Sequence, residues 1–310
     1  MIPDWPAESA DATAPDELIA RLRQHAHPLK PIPTDRQALL TERPDIRAVL
    51  FDVYGTLFIS ASGDIGASDG ATRSRAMVKA LEAVGLPADR DTSERAALAL
   101  VEAINRTHKR LKERGVRYPE VDIREIFSEV LADLRARGLC RETPSRRLCE
   151  ILAVEYECRS NPTWPMPGLT ETLRHLNGRK LPLGILSNAQ FFTPLLFPAY
   201  LEASMEKLGF DPQLCVYSYR LREAKPSPQL FRRALEVLAR RDIGPQQVLY
   251  VGNDRVNDIW PAAQERMRTA LFAGDSRSFR PREEDPRIRG VREDLMLTDL
   301  RQLIEVTGGA

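Results

Sequence analysis

The sequence predicts an α/β fold: a doubly wound parallel sheet with an all-α segment inserted after its first strand. Three observations lead there. From residue 164 to about 273, short apolar runs alternate with amphipathic helical patterns, the order that builds a parallel sheet. A further apolar run sits far upstream, in RAVLFDVYGTLF. Between the two lies a stretch, 60–163, whose apolar residues recur at steps of three and four, the helical period.

Taken in order, residues 1–45 are rich in Pro, Ala and Asp and then carry the amphipathic stretch DELIARLRQHA. They read as an extension lying loosely on the core. The run in RAVLFDVYGTLF is broken by Asp52 and a Gly-Thr turn, as a buried parallel strand ending in a loop would be. GDIGASDG at 63–70 reads as a hinge, because it lacks the flanking strand and helix of a phosphate-cradling loop. Helical patterns follow in TRSRAMVKALEAVGL, SERAALALVEAINRTHKRLKERG and IREIFSEVLADLRARG. After WPMPGLTETLRHL, strands are expected in LPLGILS, LCVYSY, QVLYVG and RTALFAG. Helices are expected in PLLFPAYLEASMEKLG, SPQLFRRALEVLARR and NDIWPAAQERM. The expected division is an extension (1–45), a core (46–59 with 164–310) and a helical insertion (60–163).

Charge is nearly balanced, 45 Lys+Arg against 44 Asp+Glu, so no global field favours nucleic acid or an anionic membrane as partner. No apolar run approaches the roughly 18 to 20 residues that span a bilayer. The start, MIPDWPAESADATAP, lacks the basic and apolar regions of a signal peptide, and a cytoplasmic location is the expectation. Cys140, Cys149 and Cys158 recur every nine residues. Nine residues are two and a half helical turns, so successive thiols point to opposite faces and cannot converge on a metal. These three and Cys215 are expected to be buried and reduced. The arginine-dense DSRSFRPREEDPRIRGVRED is interleaved with acids and reads as a solvated loop. No histidine falls at a strand end, and none is assigned a catalytic role.

A parallel sheet binds ligands beyond the carboxyl ends of its strands, and four such ends carry polar residues. The first ends in Asp52, followed by Val53, Tyr54, Gly55 and Thr56. The second ends in Ser187 and Asn188, the third is followed by Lys225, and the fourth runs into Asn253, Asp254 and Asp258. Each alone has a bland explanation as a helix cap, a turn or a solvated charge. All four together mark a site.

The segments VLFDVYGTLF, LGILSNAQ, EAKPSP and YVGNDRVND resemble, in order, the four motifs of the haloacid-dehalogenase (HAD) hydrolases. The helical segment 60–163 stands where that superfamily places a type-1 cap. The resemblance implies that Asp52 is a nucleophile forming a covalent ester with a small anionic substrate. It implies that Thr56 or Ser187 hydrogen-bonds the anionic group, that Asn188 belongs to the same site, and that Lys225 neutralises charge. It further implies a Mg²⁺ site drawing on Asp52, Val53, Asp254 and Asp258, hard oxygen ligands suited to that ion.

Two positions depart from the pattern. Phosphatases of the superfamily carry a second Asp where this chain has Tyr54, whose reference pKa of about 10 suits it poorly to proton shuttling. The 2-haloacid dehalogenases have D-x-Y-G-T there, and halide leaves without a proton. At the fourth strand Asn253 follows the Gly directly, so the metal ligand is open between Asn253, Asp254 and neither. Asp258 has helix capping as its alternative role. The expected activity is Mg²⁺-dependent hydrolysis of a small phosphorylated metabolite, with metal-independent dehalogenation and an inactive binding module as alternatives.

Overall fold

The computed structural model describes residues 13–62 and 70–308; most of the expected hinge, GDIGASDG, lies outside them. Helix α1 (Pro15–Gln24) precedes strands β1 (Ala48–Phe51) and β2 (Phe58–Ser60). Next come helices α2 (Gly70–Ala83), α3 (Arg90–Glu113), α4 (Ile123–Ala136) and α5 (Arg146–Ser160). Then follow β3 (Thr163–Pro165), α6 (Leu169–Gly178), β4 (Leu183–Ser187), α7 (Leu196–Leu201) and β5 (Phe210–Tyr217). Helices α8 (Ser218–Leu221) and α9 (Gln229–Ala239), strand β6 (Val248–Gly252), helix α10 (Trp260–Gln264) and strand β7 (Arg268–Phe272) continue the alternation. Strand β8 (Leu295–Leu297) and α11 (Gln302–Val306) close the fold.

Six strands form one sheet in the order β5-β4-β1-β6-β7-β8, every neighbouring pair parallel. Strand β1 is central and wholly buried, Ala-Val-Leu-Phe throughout. From β1 the chain works outward through β4 and β5, then returns to β1's other side and works outward through β6, β7 and β8. This reversal opens a crevice at the carboxyl ends of β4, β1 and β6, where ligands bind in such sheets.

Strands β2 and β3 pair antiparallel, Phe58 with Pro165 and Ser60 with Thr163, so the chain leaves for the insertion and returns through one ribbon. Helices α2 to α5 enclose their own apolar interior, including Met77, Leu81, Phe127, Leu131 and Leu152. The N-termini of α3, α4 and α5 are capped as the sequence directs: Asp89 accepts from Thr92 N, Asp122 from Arg124 N, and Ser145 from Leu148 N. Cys149 faces this interior, whereas Cys158, nine residues on, packs against the main core. Cys140 and Cys149 are buried, and Cys158 and Cys215 half-buried.

Three expectations are revised. The helix foreseen over 194–209 stops at Leu201, because Glu202 adopts φ 54°. The helix foreseen over NDIWPAAQERM is a π-turn, Arg255–Ile259, running into α10. Pro261 lacks the N–H that would continue the regular ladder. Helix α1 is not loosely attached: Leu18 and Leu22 are buried, and Arg21 and His25 bond Glu155 of α5 at 2.7 and 3.0 Å. Arg23 donates to the carbonyls of Pro198 and Ala199 in α7, so α1 ties the helical insertion to the core.

Leu131 is fully buried within the insertion. Leu131→Ala is expected to lower the unfolding free energy by about 2–5 kcal/mol, read as an earlier midpoint in urea with an unchanged slope.

Candidate active site

Strand β1 delivers Asp52 to the crevice, its N–H bonded to Val251 O of β6 at 2.9 Å. Lys225, after α8, extends its buried ammonium between two carboxylates. Nζ lies 2.8 Å from Asp52 Oδ1 and 2.5 Å from Asp258 Oδ1, and donates to the Tyr250 hydroxyl at 3.1 Å. The Tyr250 hydroxyl is in turn 2.9 Å from Leu186 O, which it reaches as a donor. Burial alone would discharge the Lys225 ammonium, but Asp258 and Asp52 outweigh it and hold its pKa above the usual lysine value. Burial lifts the Asp258 carboxyl above the usual carboxylate range, and the neighbouring Asp52 and Asp254 add to the lift.

Glycine fixes Asp258 in place. A Cβ on Gly252 would lie 2.4 Å from Asp258 Cγ, so only a bare strand end lets this carboxylate fold back over β6. Gly55, at φ 81°, likewise leaves room that a Cβ would take from Ser278 and Asn253.

Asn188 Oδ1 accepts Lys225 N at 2.7 Å and Asn188 Nδ2 donates to Lys225 O at 3.3 Å, a two-sided clamp that sets where the lysine stem starts. Asp52, Tyr54, Asn188, Lys225, Asp254 and Asp258 line one cavity of about 210 Å³. Val53, Thr56 and Ser187 are buried beside it. Thr56 Oγ1 donates to Asn253 Oδ1 at 3.1 Å, and Ser187 Oγ makes a long 3.5 Å contact with Asn188 O. The Tyr54 hydroxyl pairs with Thr193 Oγ1 at 2.9 Å. Burial, with Glu157 nearby, drives its pKa well above the ordinary value, so it holds its proton.

The residues expected to hold Mg²⁺ do not fit that ion as they stand. The Val53 carbonyl accepts the N–H groups of Leu57 and Phe58. Asp254 caps the π-turn, accepting from Val256 N and Asn257 N through Oδ1, while Oδ2 meets Arg282 at 2.8 Å. Asn253 is spent between Thr56 and Ser278 O, and Asp258 Oδ2 accepts Asp254 N. Among the described residues, no three His, Cys, Asp or Glu side chains gather to hold a metal. Capping at this turn is the work of Asp254, whereas Asp258 serves Lys225.

Several site residues escaped the sequence reading. Tyr250 sits inside a strand whose apolar run hides it. Glu120 and Gln190 line the cavity with Arg280, which comes from the arginine-dense segment read as a solvated loop. Arg282, from the same segment, neutralises Asp254. None announces itself by spacing; each arrives through a long-range fold contact.

The sequence of the chain matches the haloacid dehalogenase-like hydrolase family over residues 46–265, and the chain belongs to that family. It is therefore a hydrolase with the α/β fold and convergent strand ends described above. A curated relative, the Rhythmically expressed gene 2 protein of Drosophila melanogaster, is 28% identical over 111 residues, 36% of this chain and 40% of that protein. The chain thus spans well under half the length of that relative. Among solved structures, a HAD phosphatase from Thermococcus onnurineus is 19% identical, with a TM-score of 0.51, over 85% of this chain and 99% of its own. The L-2-haloacid dehalogenase RSc1362 is 19% identical, with a TM-score of 0.48, over 84% of this chain and 98% of its own. At 19% identity the Thermococcus onnurineus structure speaks to fold alone. Among the described residues, no helix is long and apolar enough to cross a membrane.

Lys225→Met leaves two buried carboxylates without the cation between them. It is expected to cost about 3–5 kcal/mol of unfolding free energy. The loss should shrink in urea titrations at acidic pH, where protonation of Asp258 relieves the repulsion.

Proposed function

We propose that this chain hydrolyses a small phosphomonoester by forming a covalent ester on Asp52. One observation carries the reading. Lys225 holds Asp52 Oδ1, while Oδ2 has no hydrogen-bond partner among the described residues, and Asp52 lines a cavity large enough for a phosphoryl group and a small leaving group. An oriented carboxylate with one free oxygen is a nucleophile set for in-line attack. The Lys225 ammonium beside it offsets the repulsion between that carboxylate and an anionic substrate. Arg280, on the cavity wall, is a second cation for the substrate's charge.

In the same reading, residues 46–59 with 164–310 form the catalytic core and 60–163 the cap. What supports the cap role is a loop of the insertion docked on the site's own segments. Ala224 N donates to Tyr118 O at 2.7 Å and Glu120 N to Arg222 O at 3.0 Å. Gln190 Nε2 donates to Val121 O at 3.0 Å, while its Oε1 accepts Ile123 N at 2.9 Å. A loop so placed excludes water and bounds the substrate's size.

A second reading, halide displacement from a 2-haloacid, draws support from Tyr54. Its retained proton suits a leaving group that needs none from position 54.

The test is turnover of p-nitrophenyl phosphate, acetyl phosphate and 2-chloropropionate by the wild type and Asp52→Asn, each with Mg²⁺ and with EDTA. The expected outcome is phosphate release that falls by at least about a thousandfold in Asp52→Asn. Halide release with no phosphate release would replace the first reading by the second. Strict Mg²⁺ dependence would mean that Arg282 releases Asp254 in the working enzyme.

A further inference from the structure

The insertion places a carboxyl group in the cavity that the reaction, as read from the strand ends, leaves unused. Glu120 lies in the loop between α3 and α4 and lines the same cavity as Asp52 and Lys225. Its position is built by the core. The Ser218 hydroxyl, at the start of α8, donates to Glu120 Oε2 at 2.8 Å and itself accepts Ala189 N at 2.9 Å. Val121 N donates to Oε1 at 2.9 Å. Ala189 directly follows Asn188, which clamps Lys225, so the carboxyl and the ammonium are referenced to one short loop.

Tyr54 cannot supply a proton to a leaving oxygen, since it is buried, paired with Thr193 and held well above its ordinary pKa. Resting on the phosphomonoester reading, we propose that Glu120 carries that proton, acting as acid toward the leaving oxygen and then as base toward the attacking water. As the Asp52 carboxylate forms its bond to phosphorus, the bond to the leaving oxygen breaks and that oxygen takes the Glu120 proton. Water then attacks the phosphorus of the aspartyl phosphate and gives its proton to the Glu120 carboxylate. The bond between Asp52 and phosphorus breaks, phosphate leaves, and both carboxyl groups return to their starting states.

The surroundings suit an acid that begins protonated. With Asp254 held by Arg282, the cavity still gathers Asp52, Glu120 and Asp258 against Lys225 and Arg280, more carboxyl groups than cations. Burial raises the Glu120 pKa and Asp122 adds to it, while Ser218, Val121 N and Arg222 pull it back in part. Asp122 is itself held by Arg124 at 2.6 Å. A carboxyl group held above the usual carboxylate range gives up its proton to a leaving oxygen less prematurely than an ordinary one.

The experiment compares Glu120→Gln with the wild type on two esters: glycerol 2-phosphate, whose alkoxide needs a proton to leave, and p-nitrophenyl phosphate, whose phenolate scarcely does. The expected result is a kcat/KM about a hundredfold lower on the alkyl ester, a much smaller loss of kcat/KM on the aryl ester, and loss of the alkaline limb of the wild-type kcat/KM profile on the alkyl ester. Retained aryl turnover reports that the variant is folded. In the wild type alone, kcat/KM on the alkyl ester should fall as pH rises through the Glu120 pKa while kcat/KM on the aryl ester holds. Equal losses of kcat/KM on both esters, or no loss on either, would overturn the assignment of Glu120. A wild type silent on both esters overturns the phosphomonoester reading itself, and the proton role with it.

Discussion

One buried ammonium organises the crevice. Lys225 stands between Asp52 and Asp258, and neither carboxylate could be kept there without it, since an unpaired buried charge is far costlier than a paired one. Everything around the lysine serves its placement. Asn188 grips its backbone from both sides, Tyr250 accepts one of its protons, and Gly252 clears the space into which Asp258 folds. The interaction also sets the orientation of Asp52 at the cavity wall by occupying one of its oxygens.

The helical insertion contributes to the site by backbone pairing with the core. Residues 118–123 pair with two core loops, one holding Asn188 and Gln190 and the other running up to Lys225. Position and chemistry are thereby coupled: a displacement of this loop would move Glu120 and loosen Gln190 together. The cavity is thus bounded by the ends of β1, β4 and β6, the loops carrying Lys225 and Arg280, and the loop between α3 and α4.

Much of the fold was legible because it rests on period and punctuation. Buried parallel strands announce themselves as short apolar runs, and the helices of the insertion as three- and four-residue spacing. What was not legible depended on long-range or exceptional geometry. The left-handed Glu202 ends a helix whose apolar pattern continues, and Pro261 splits another. In the site, Asp52, Asn188, Lys225 and Asp258 could be placed together because strand ends of a parallel sheet must converge. The partition of labour between Asp254 and Asp258 could not be read, because it is decided by Arg282, 24 residues beyond Asp258 in sequence. Charge interleaving made the segment around Arg280 look solvated, when in fact it returns to the crevice.

The region shared with the family, 46–265, ends before β7 begins and starts after α1 has finished. Yet β7 pairs with β6 from Leu249 to Gly252, Arg282 neutralises the acid that caps the turn after it, and α1 pins Glu155 of the insertion against the core. Recognisable likeness and mechanical integrity therefore have different borders in this chain. A fragment cut to the recognisable stretch would keep all four motifs and lose part of the framework that aims them.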